Sequence, residues 1–302
     1  MGQLQLAIVV PFLDEAAHLP ELLRSIADQT RLPDRVLLVD DGSRDGSSAI
    51  AAAFALEHEW ARLMRRPPQE RGRDRLAGGT AAAAFGWGVD RLGTSWDVVA
   101  KLDADVRLTA PTIASVEQWL RDCPRLGIAG PRLGVADVDG APPHRCPPDH
   151  VDGAAKFYRR ACWEEIAPFP QLLGWDTIDE IRARMRGWEV CSGDIPGGNP
   201  LQLRAMGGHD GLLRGYRRWG RCAWGLGEHP LHLLAVAAQR IGDAPPVLGS
   251  LNYLLGWASA ALRRAPRAEA DVRAFVRRDE LRRLRLRAAG RPTRRSMAES
   301  AI

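Results

Sequence analysis

Residues 98–105, Val-Val-Ala-Lys-Leu-Asp-Ala-Asp, run from an apolar segment into a pair of carboxylates. The apolar part predicts a strand over Val98–Leu102 that is buried in a sheet, with Asp103 and Asp105 just beyond its carboxyl end. Carboxylates at this spacing can hold Mg²⁺ or Mn²⁺ against a ligand phosphate, because these ions favour a few carboxylates together with phosphate oxygens. The same segment also fits a plain polar turn, so its neighbours decide between the two interpretations.

The sequence on either side alternates strand and helix patterns. Strands that alternate with helices of about 10–15 residues predict an α/β fold with a mostly parallel sheet flanked by helices. The predicted strands cover 6–12, 35–39, 61–65, 98–102 and 126–130, and the predicted helices cover 19–28, 47–60, 80–92, 112–121 and 178–185.

Acidic residues follow three of the predicted strands. Asp14 and Glu15 follow the first strand, Asp40 and Asp41 follow the second, and the Asp-Ala-Asp segment follows the fourth. Ligands of parallel α/β sheets bind beyond the carboxyl ends of the strands. The sequence therefore predicts that these carboxylates converge on one rim of the sheet.

The acidic segment after the second strand has two interpretations. Ser43 or Asp45 fits the cap of the next helix, and the glycines beside them permit positive φ. Two adjacent carboxylates at a buried strand end exceed the needs of a turn, however. Asp40 and Asp41 could instead accept hydrogen bonds from a uracil N–H group or a ribose hydroxyl.

Three segments together resemble the family 2 glycosyltransferases of the GT-A fold, a Rossmann-like architecture. They are VVPFLDE at 9–15, VLLVDDGSRDGS at 36–47 and VAKLDADV at 99–106. Members of this family are inverting enzymes with nucleotide-diphospho-sugar donors, here expected to be UDP- or GDP-linked. The resemblance implies that Asp103 and Asp105 bind the donor phosphates through Mg²⁺ or Mn²⁺. The residues it assigns to the donor are Pro11, Asp14, Glu15, Asp40, Asp41, Asp103, Ala104 and Asp105.

A later acidic stretch, Gly174–Glu180, occupies the place of the family motif that opens a helix and supplies the catalytic base. Counting back from the Gly-Trp pair at 187–188 assigns the base to Asp176, although the usual preceding Glu is Trp here. Asp179 and Glu180 lie one turn further on and remain alternatives. An acidic first turn is also favoured by the helix dipole alone.

Two family features are missing. The glycine-rich stretch at 78–86 lacks the family's Gly-Lys pair and later Asn, so Arg71, Arg73 or Arg75 is expected to substitute in donor binding. The Gln-x-x-Arg-Trp sequence of processive relatives is also absent, and we therefore expect no processive synthesis.

The C-terminal part differs in composition from the rest. Residues 263–302 hold 13 Arg and 5 acidic residues, whereas the whole chain has a net charge of only +5. An uncharged stretch at 245–262 precedes them, and this order favours peripheral attachment to an anionic membrane. A solvated helical tail or a nucleic-acid patch is the alternative. We expect a catalytic domain over 1–205, a helical region over 206–302, and no nucleic-acid partner.

The resemblance and the charge pattern together predict the function. Residues 225–235 resemble a block of bacterial polysaccharide-type members, which implies a glycan or lipid-linked acceptor. Five widely spaced cysteines without a CxxC pair favour a reduced, cytoplasmic setting, and the Arg-rich tail favours the inner face of the cell membrane. A nucleotidyltransferase is the first alternative, but it would need a glycine-rich phosphate loop where Pro11–Glu15 stands. The second is a non-catalytic membrane or nucleic-acid adaptor, which would not need Asp103, Asp105 or Asp176.

Overall fold

The computed structural model describes residues 2–67, 79–135, 149–204 and 211–288. Strands and helices alternate as far as residue 204, and the described chain is helical beyond it. The strands are β1 (Leu6–Phe12), β2 (Arg35–Asp40), β3 (Ala61–Arg65), β4 (Val98–Leu102), β5 (Val106–Arg107), β6 (Leu126–Pro131), β7 (Gly134–Val135), β8 (Ala155–Arg159), β9 (Glu189–Gly193) and β10 (Leu201–Gln202). The helices are α1 (Leu19–Ala27), α2 (Ser47–Glu57), α3 (Thr80–Val89), α4 (Thr112–Asp122), α5 (Arg160–Ile166), α6 (Trp175–Met185), α7 (Leu212–Leu226), α8 (Pro230–Gln239), α9 (Leu248–Leu262) and α10 (Ala270–Ala288).

The central sheet has seven strands in the order β3-β2-β1-β4-β8-β6-β9. The first four are mutually parallel, β8 is antiparallel to both of its neighbours, and β9 is parallel to β6. The prediction of a mostly parallel sheet flanked by helices is confirmed. All five predicted strands are present, each within one residue of its predicted bounds.

Two hydrophobic clusters cover the two faces of this sheet. Leu6, Ile8 and Val10 of β1 pack into the cluster that includes α1, α2 and α4, while Ala7 and Val9 pack into the cluster that includes α3, α5 and α6. A strand that is buried on both faces needs apolar residues at every position. The unbroken apolar run in β1 follows from this position between two layers of helices.

Three helices differ from their predicted bounds by three residues, and one of them is α3, which ends at Val89 and not at residue 92. Helix α2 ends at Glu57, because His58 is already extended at φ −129° and ψ 109°. Helix α6 begins at Trp175, three residues before the predicted start, after Gly174 at φ +83°. The earlier start places Asp176 in the first turn of the helix.

A second, three-stranded sheet has the order β5-β10-β7. Its middle strand, β10, pairs antiparallel with β5, which begins directly after Asp105. The backbone N–H of Leu203 also donates to the carbonyl oxygen of Asp105 at 2.7 Å. This small sheet therefore fixes residues near position 204 against the end of β4.

The Arg-rich helix α10 packs on the body of the protein. Its Val272 and Val276 share a buried cluster with Ile178 and Ile181 of α6 and with Leu226 of α7. The apolar side of α10 is thus covered by protein. None of the helices in the described ranges is both long enough and apolar enough to cross a membrane.

Helices α7 and α9 approach each other closely through two glycines. A Cβ atom at Gly220 would overlap the carbonyl oxygen of Tyr253, and one at Gly256 would overlap the carbonyl oxygen of Arg217. Substitution there must push the helices apart, since backbone atoms leave no room for a methyl group.

We therefore expect Gly220→Ala to lower the free energy of unfolding by about 1–3 kcal/mol, as overpacking does. Gly86→Ala in α3 is the matched control, because no described atom lies within 4 Å of the new Cβ. It should raise stability by about 0.5–1 kcal/mol through its helix propensity. Chemical denaturation of both variants measures the difference, and a stabilising Gly220→Ala would contradict the close packing.

Candidate active site

The Asp-Ala-Asp segment forms the turn between β4 and β5. The Asp103 backbone N–H donates to the carbonyl oxygen of Ala154 at 2.9 Å, which ties the turn to the segment before β8. The Asp103 carboxylate accepts a bond from Lys101 Nζ at 2.5 Å, and this ammonium also donates to the Gly153 carbonyl at 2.6 Å. Ala104 is buried beneath the turn.

Asp105 is paired with an arginine that the sequence did not indicate. Its Oδ2 atom lies 3.0 Å from Nε of Arg204, and the same guanidinium also donates to Glu15 Oε1. Asp105 itself is buried. Arg204 is 99 positions away in the chain, and only the small β5-β10-β7 sheet brings it here. No local pattern around residue 204 could have identified it.

The turn after β2 uses Asp40 differently from its neighbour Asp41. Asp40 is buried, and its Oδ1 accepts the backbone N–H groups of Gly42 at 3.0 Å and Ser43 at 2.7 Å. Asp41 instead forms a salt bridge with Arg66 at 3.0 Å. The Asp40 carboxylate therefore shapes the turn, while Asp41 lies beside a cation at the rim.

The turn after β1 is interlocked with the turn after β2. Asp14 adopts a positive φ of 54°, and its carboxylate accepts the backbone N–H of Arg44 at 2.7 Å. Its own N–H donates to Ser43 Oγ at 3.0 Å, and the N–H of Glu15 donates to Ser47 Oγ at 2.8 Å. Pro11 is half-buried within β1. The two acidic turns therefore form one unit at the edge of the sheet.

Asp176 lies near the Asp-Ala-Asp turn, within electrostatic range of Asp103. It is half-buried, and its side chain fills the space above Gly153, where a Cβ would clash with Asp176 Oδ2. Burial raises the pKa of Asp103, and the negative charges of Asp105 and Asp176 add to that rise, while Lys101 opposes it. The structure thus places both Asp105 and Asp176 within electrostatic range of Asp103.

Asp179 is fully buried and engaged with two side chains of β8. Lys156 Nζ lies 3.0 Å and 3.1 Å from its two carboxylate oxygens, and the Tyr158 hydroxyl donates to Oδ2 at 2.6 Å. Burial raises the pKa of Asp179 to about 6, and Glu180 adds to the rise against the opposing charge of Lys156. Asp179 is therefore enclosed within the protein.

Glu180 is also enclosed, within a ring of cations. It forms salt bridges with Lys156 at 2.9 Å, His150 at 3.0 Å and Arg184 at 3.0 Å, and it accepts the backbone N–H of Val151 at 2.9 Å. Burial alone would raise the pKa of Glu180, but its cationic partners prevail and hold that pKa well below its usual range. Of the three predicted base candidates, Asp176 is the one that is only half-buried, whereas Asp179 and Glu180 are buried.

The two lysines of the chain are both part of this region. Lys101 of β4 and Lys156 of β8 are direct cross-strand partners, and both are buried. The chain has two lysines and 40 arginines, and this rarity of lysine could have drawn attention to Lys101 and Lys156 in the sequence. The arginines expected to bind the donor, Arg71, Arg73 and Arg75, lie outside the described residues.

Residues 7–146 match the family model described as Glycosyl transferase family 2. This segment contains β1 to β7 and all eight residues predicted to contact the donor and its phosphates. No curated protein sequence matches the chain.

Several solved structures resemble the chain over most of its length. PcManGT, a mannosyltransferase from Pyrobaculum calidifontis solved with GDP-Man and Mn²⁺, has a TM-score of 0.58 at 18% identity, over 96% of this chain and 81% of that one. Residues 1–349 of S. aureus TarS give 0.53 at 13% identity, over 86% and 72%. The same TarS fragment with UDP-GlcNAc gives 0.50 at 14% identity, over 80% and 67%. At these identities the likeness is one of fold, and it confirms the GT-A prediction.

The buried lysine of β8 generates a prediction about stability. Lys156→Met leaves Asp179 and Glu180 buried without their shared ammonium, so we expect the free energy of unfolding to fall by about 3–5 kcal/mol. Arg132→Met breaks the exposed pair with Asp194 and should cost less than about 1 kcal/mol. Denaturant titration compares the two. Equal losses would mean that His150 and Arg184 neutralise the acids without Lys156.

Proposed function

We propose that this chain, a glycosyltransferase whose residues 7–146 belong to glycosyl transferase family 2, inverts the anomeric centre of a sugar that it transfers from a nucleotide-diphospho-sugar. The acceptor is a hydroxyl of a glycan or a lipid-linked molecule, and the reaction is a metal-assisted single displacement. The observation that carries this proposal is the convergence of Asp103, Asp105 and Asp176 at the carboxyl end of the sheet. Metal and phosphate chemistry would then lie beside a base.

The nucleoside half of the donor would bind at the interlocked turns after β1 and β2. Asp41 offers a carboxylate at the rim, while Asp40 and Asp14 hold the turns in shape through backbone hydrogen bonds. Related structures hold GDP-Man, UDP or UDP-GlcNAc. They support a UDP- or GDP-linked donor here.

The residues present fit a divalent cation. Asp103 and Asp105 offer hard oxygen ligands, and Glu15 Oε2, beside them, is buried without a hydrogen-bond partner among the described residues. Mg²⁺ and Mn²⁺ prefer such oxygen atoms. When bound, either ion would offset the negative charge on the departing diphosphate.

The proposed base is Asp176. In a single displacement the base removes the proton of the acceptor hydroxyl while the sugar leaves the diphosphate, so one carboxylate suffices and no covalent intermediate forms. Asp176 is only half-buried, whereas Asp179 and Glu180 are enclosed by their partners. Lys156 and the α6 helix would hold the base in place, since the Lys156 ammonium donates to the Asp176 carbonyl.

The family match supports this reaction over the two alternatives. A nucleotidyltransferase would need a glycine-rich phosphate loop after β1, and the chain has Pro11–Glu15 there. A non-catalytic adaptor would have no use for Asp105 and Asp176 so close to Asp103 that their negative charges raise its pKa.

We further propose that the C-terminal region, 206–302, attaches the catalytic region, 1–205, to an anionic membrane surface at the cytoplasmic face of the cell membrane. The two adjacent helices α8 and α9 expose a leucine face, defined as Leu231, Leu234, Leu248, Leu251 and Leu255. In α9 its members recur three and four residues apart, which aligns them along one side of the helix.

Basic residues close to the leucine face support an anionic partner. Arg263 and Arg264 follow α9 directly and are exposed. Apolar side chains beside arginines suit the boundary between acyl chains and anionic headgroups. Because α10 packs on α6, the leucine face, and not α10, would supply the apolar contact. A membrane surface would also bring a lipid-linked acceptor close to the enzyme.

One experiment tests the proposed reaction. We expect Asp105→Asn to remove the Mn²⁺-dependent part of donor binding, measured by calorimetry with a panel of UDP- and GDP-linked sugars. Asp176→Asn should bind the same donor normally and lose about 10²–10⁴-fold in kcat, the usual contribution of a general base. Asp194→Asn, an exposed acid in a surface pair, is the control. Full transfer activity in Asp176→Asn would reject Asp176 as the base.

A second experiment tests the leucine face. Flotation with phosphatidylglycerol vesicles should recover the unmodified protein, and Leu251→Gln with Leu255→Gln should weaken recovery about tenfold or more, because each buried leucine contributes about 1.5–3 kcal/mol. Leu32→Gln with Leu56→Gln is the control, since both of these leucines are exposed on the catalytic region. Equal recovery of the two double variants would exclude this surface.

A further inference from the structure

The two carboxylates of the Asp-Ala-Asp turn are neutralised by different kinds of cation. Asp103 is paired with Lys101, which is 3% exposed and bonds to both Asp103 and the Gly153 carbonyl. Asp105 is paired with Arg204, whose side chain is 32% exposed. The ammonium of Lys101 is enclosed by protein, whereas the guanidinium of Arg204 reaches its partner from the solvent side.

Arg204 joins two acids that would otherwise repel each other. Its guanidinium contacts Asp105 Oδ2 at 3.0 Å and also Glu15 Oε1. Burial raises the pKa of Glu15, and the negative charge of Asp105 adds to that rise. The other oxygen of this carboxylate, Glu15 Oε2, is buried and has no hydrogen-bond partner among the described residues. The two acids thus share one cation, and Glu15 Oε2 remains available as a further oxygen ligand.

A divalent ion and a guanidinium cannot both occupy this position. Charges of +2 and +1 placed about 4 Å apart repel strongly in a partly buried site. Asp105 Oδ2 is a hard oxygen ligand of the kind that Mg²⁺ and Mn²⁺ prefer, and Arg204 already uses it. The Arg204 side chain is about one third exposed, so its guanidinium can turn toward solvent.

We propose that Arg204 is an exchangeable counter-ion of the metal site, which neutralises Asp105 in the metal-free protein and releases it when Mg²⁺ or Mn²⁺ binds. Lys101 stays with Asp103 throughout, because it is enclosed. This inference rests on the proposed metal-assisted function. The two carboxylates therefore have different roles. The metal ion binds Asp105 only when it displaces the Arg204 guanidinium from Asp105 Oδ2.

The exchange makes a prediction that is contrary to the usual effect of damaging a binding site. Arg204→Gln removes the competitor and should tighten the binding of Mn²⁺ to the nucleotide-free protein about twofold to fivefold, the ratio that corresponds to a partly exposed ion pair. Free Mn²⁺ is measured by electron paramagnetic resonance during titration of the full chain. The same ion should also raise Tm further in Arg204→Gln than in the unmodified protein.

Arg107→Gln is the matched control, because Arg107 lies on β5 close to the turn but pairs with Glu21 in solvent. It makes the same change in net charge, so any general attraction of cations appears there too. Arg204→Lys keeps the charge and loses the forked donor geometry. We expect its Mn²⁺ affinity to lie between those of the unmodified protein and Arg204→Gln, which provides a second test should Arg204→Gln not fold.

Three negative results have different meanings. If Arg204→Gln and Arg107→Gln bind Mn²⁺ equally and Arg204→Lys matches the unmodified protein, the exchange is rejected while the proposed transfer reaction stands. If the unmodified protein binds no Mn²⁺ even with UDP or GDP present, both the metal-assisted reaction and the exchange are rejected. An Asp105→Asn variant with undiminished Mn²⁺ affinity would likewise place the ion elsewhere and overturn the proposal.

Discussion

The candidate site depends on the cross-strand pairing of Lys101 with Lys156. Like charges placed opposite each other on neighbouring strands destabilise a sheet, and burial makes an ammonium more costly still. Each lysine is compensated by acids on its own side, Lys101 by Asp103 and Lys156 by Asp179 and Glu180. The antiparallel insertion of β8 beside β4 thereby fixes both the Asp-Ala-Asp turn and the helix that carries Asp176.

This arrangement separates acids that hold the structure from acids that can react. Asp40, Asp179 and Glu180 are buried and satisfied by hydrogen bonds or cations. Asp105 is paired from the solvent side, and Asp176 is only half-buried. The acids of the first group are placed by the folding of the chain. Those of the second group remain able to meet a metal or a hydroxyl.

Much of the fold could be predicted because its signals are local. Apolar runs identified β1, β2 and β4, and the alternation of strand and helix patterns added the weaker β3 and β6. The acids that follow β1, β2 and β4 meet at one edge because those strands are parallel and adjacent. Sequence reasoning could not separate Asp176 from Asp179 and Glu180, since their different burial depends on β8. It also missed Arg204, whose place depends on the long-range pairing of β10 with β5.

The position of Arg204 has a consequence for how the protein is made. The segment that matches the family model ends at residue 146, whereas Lys156, Asp176 and Arg204 come later in the chain. During synthesis from the N-terminus, Glu15 and Asp105 emerge from the ribosome before Arg204, the cation that they share, has been made. This pair of acids thus carries an unbalanced negative charge until roughly two thirds of the polypeptide has emerged. A fragment cut at the family boundary would retain that imbalance permanently.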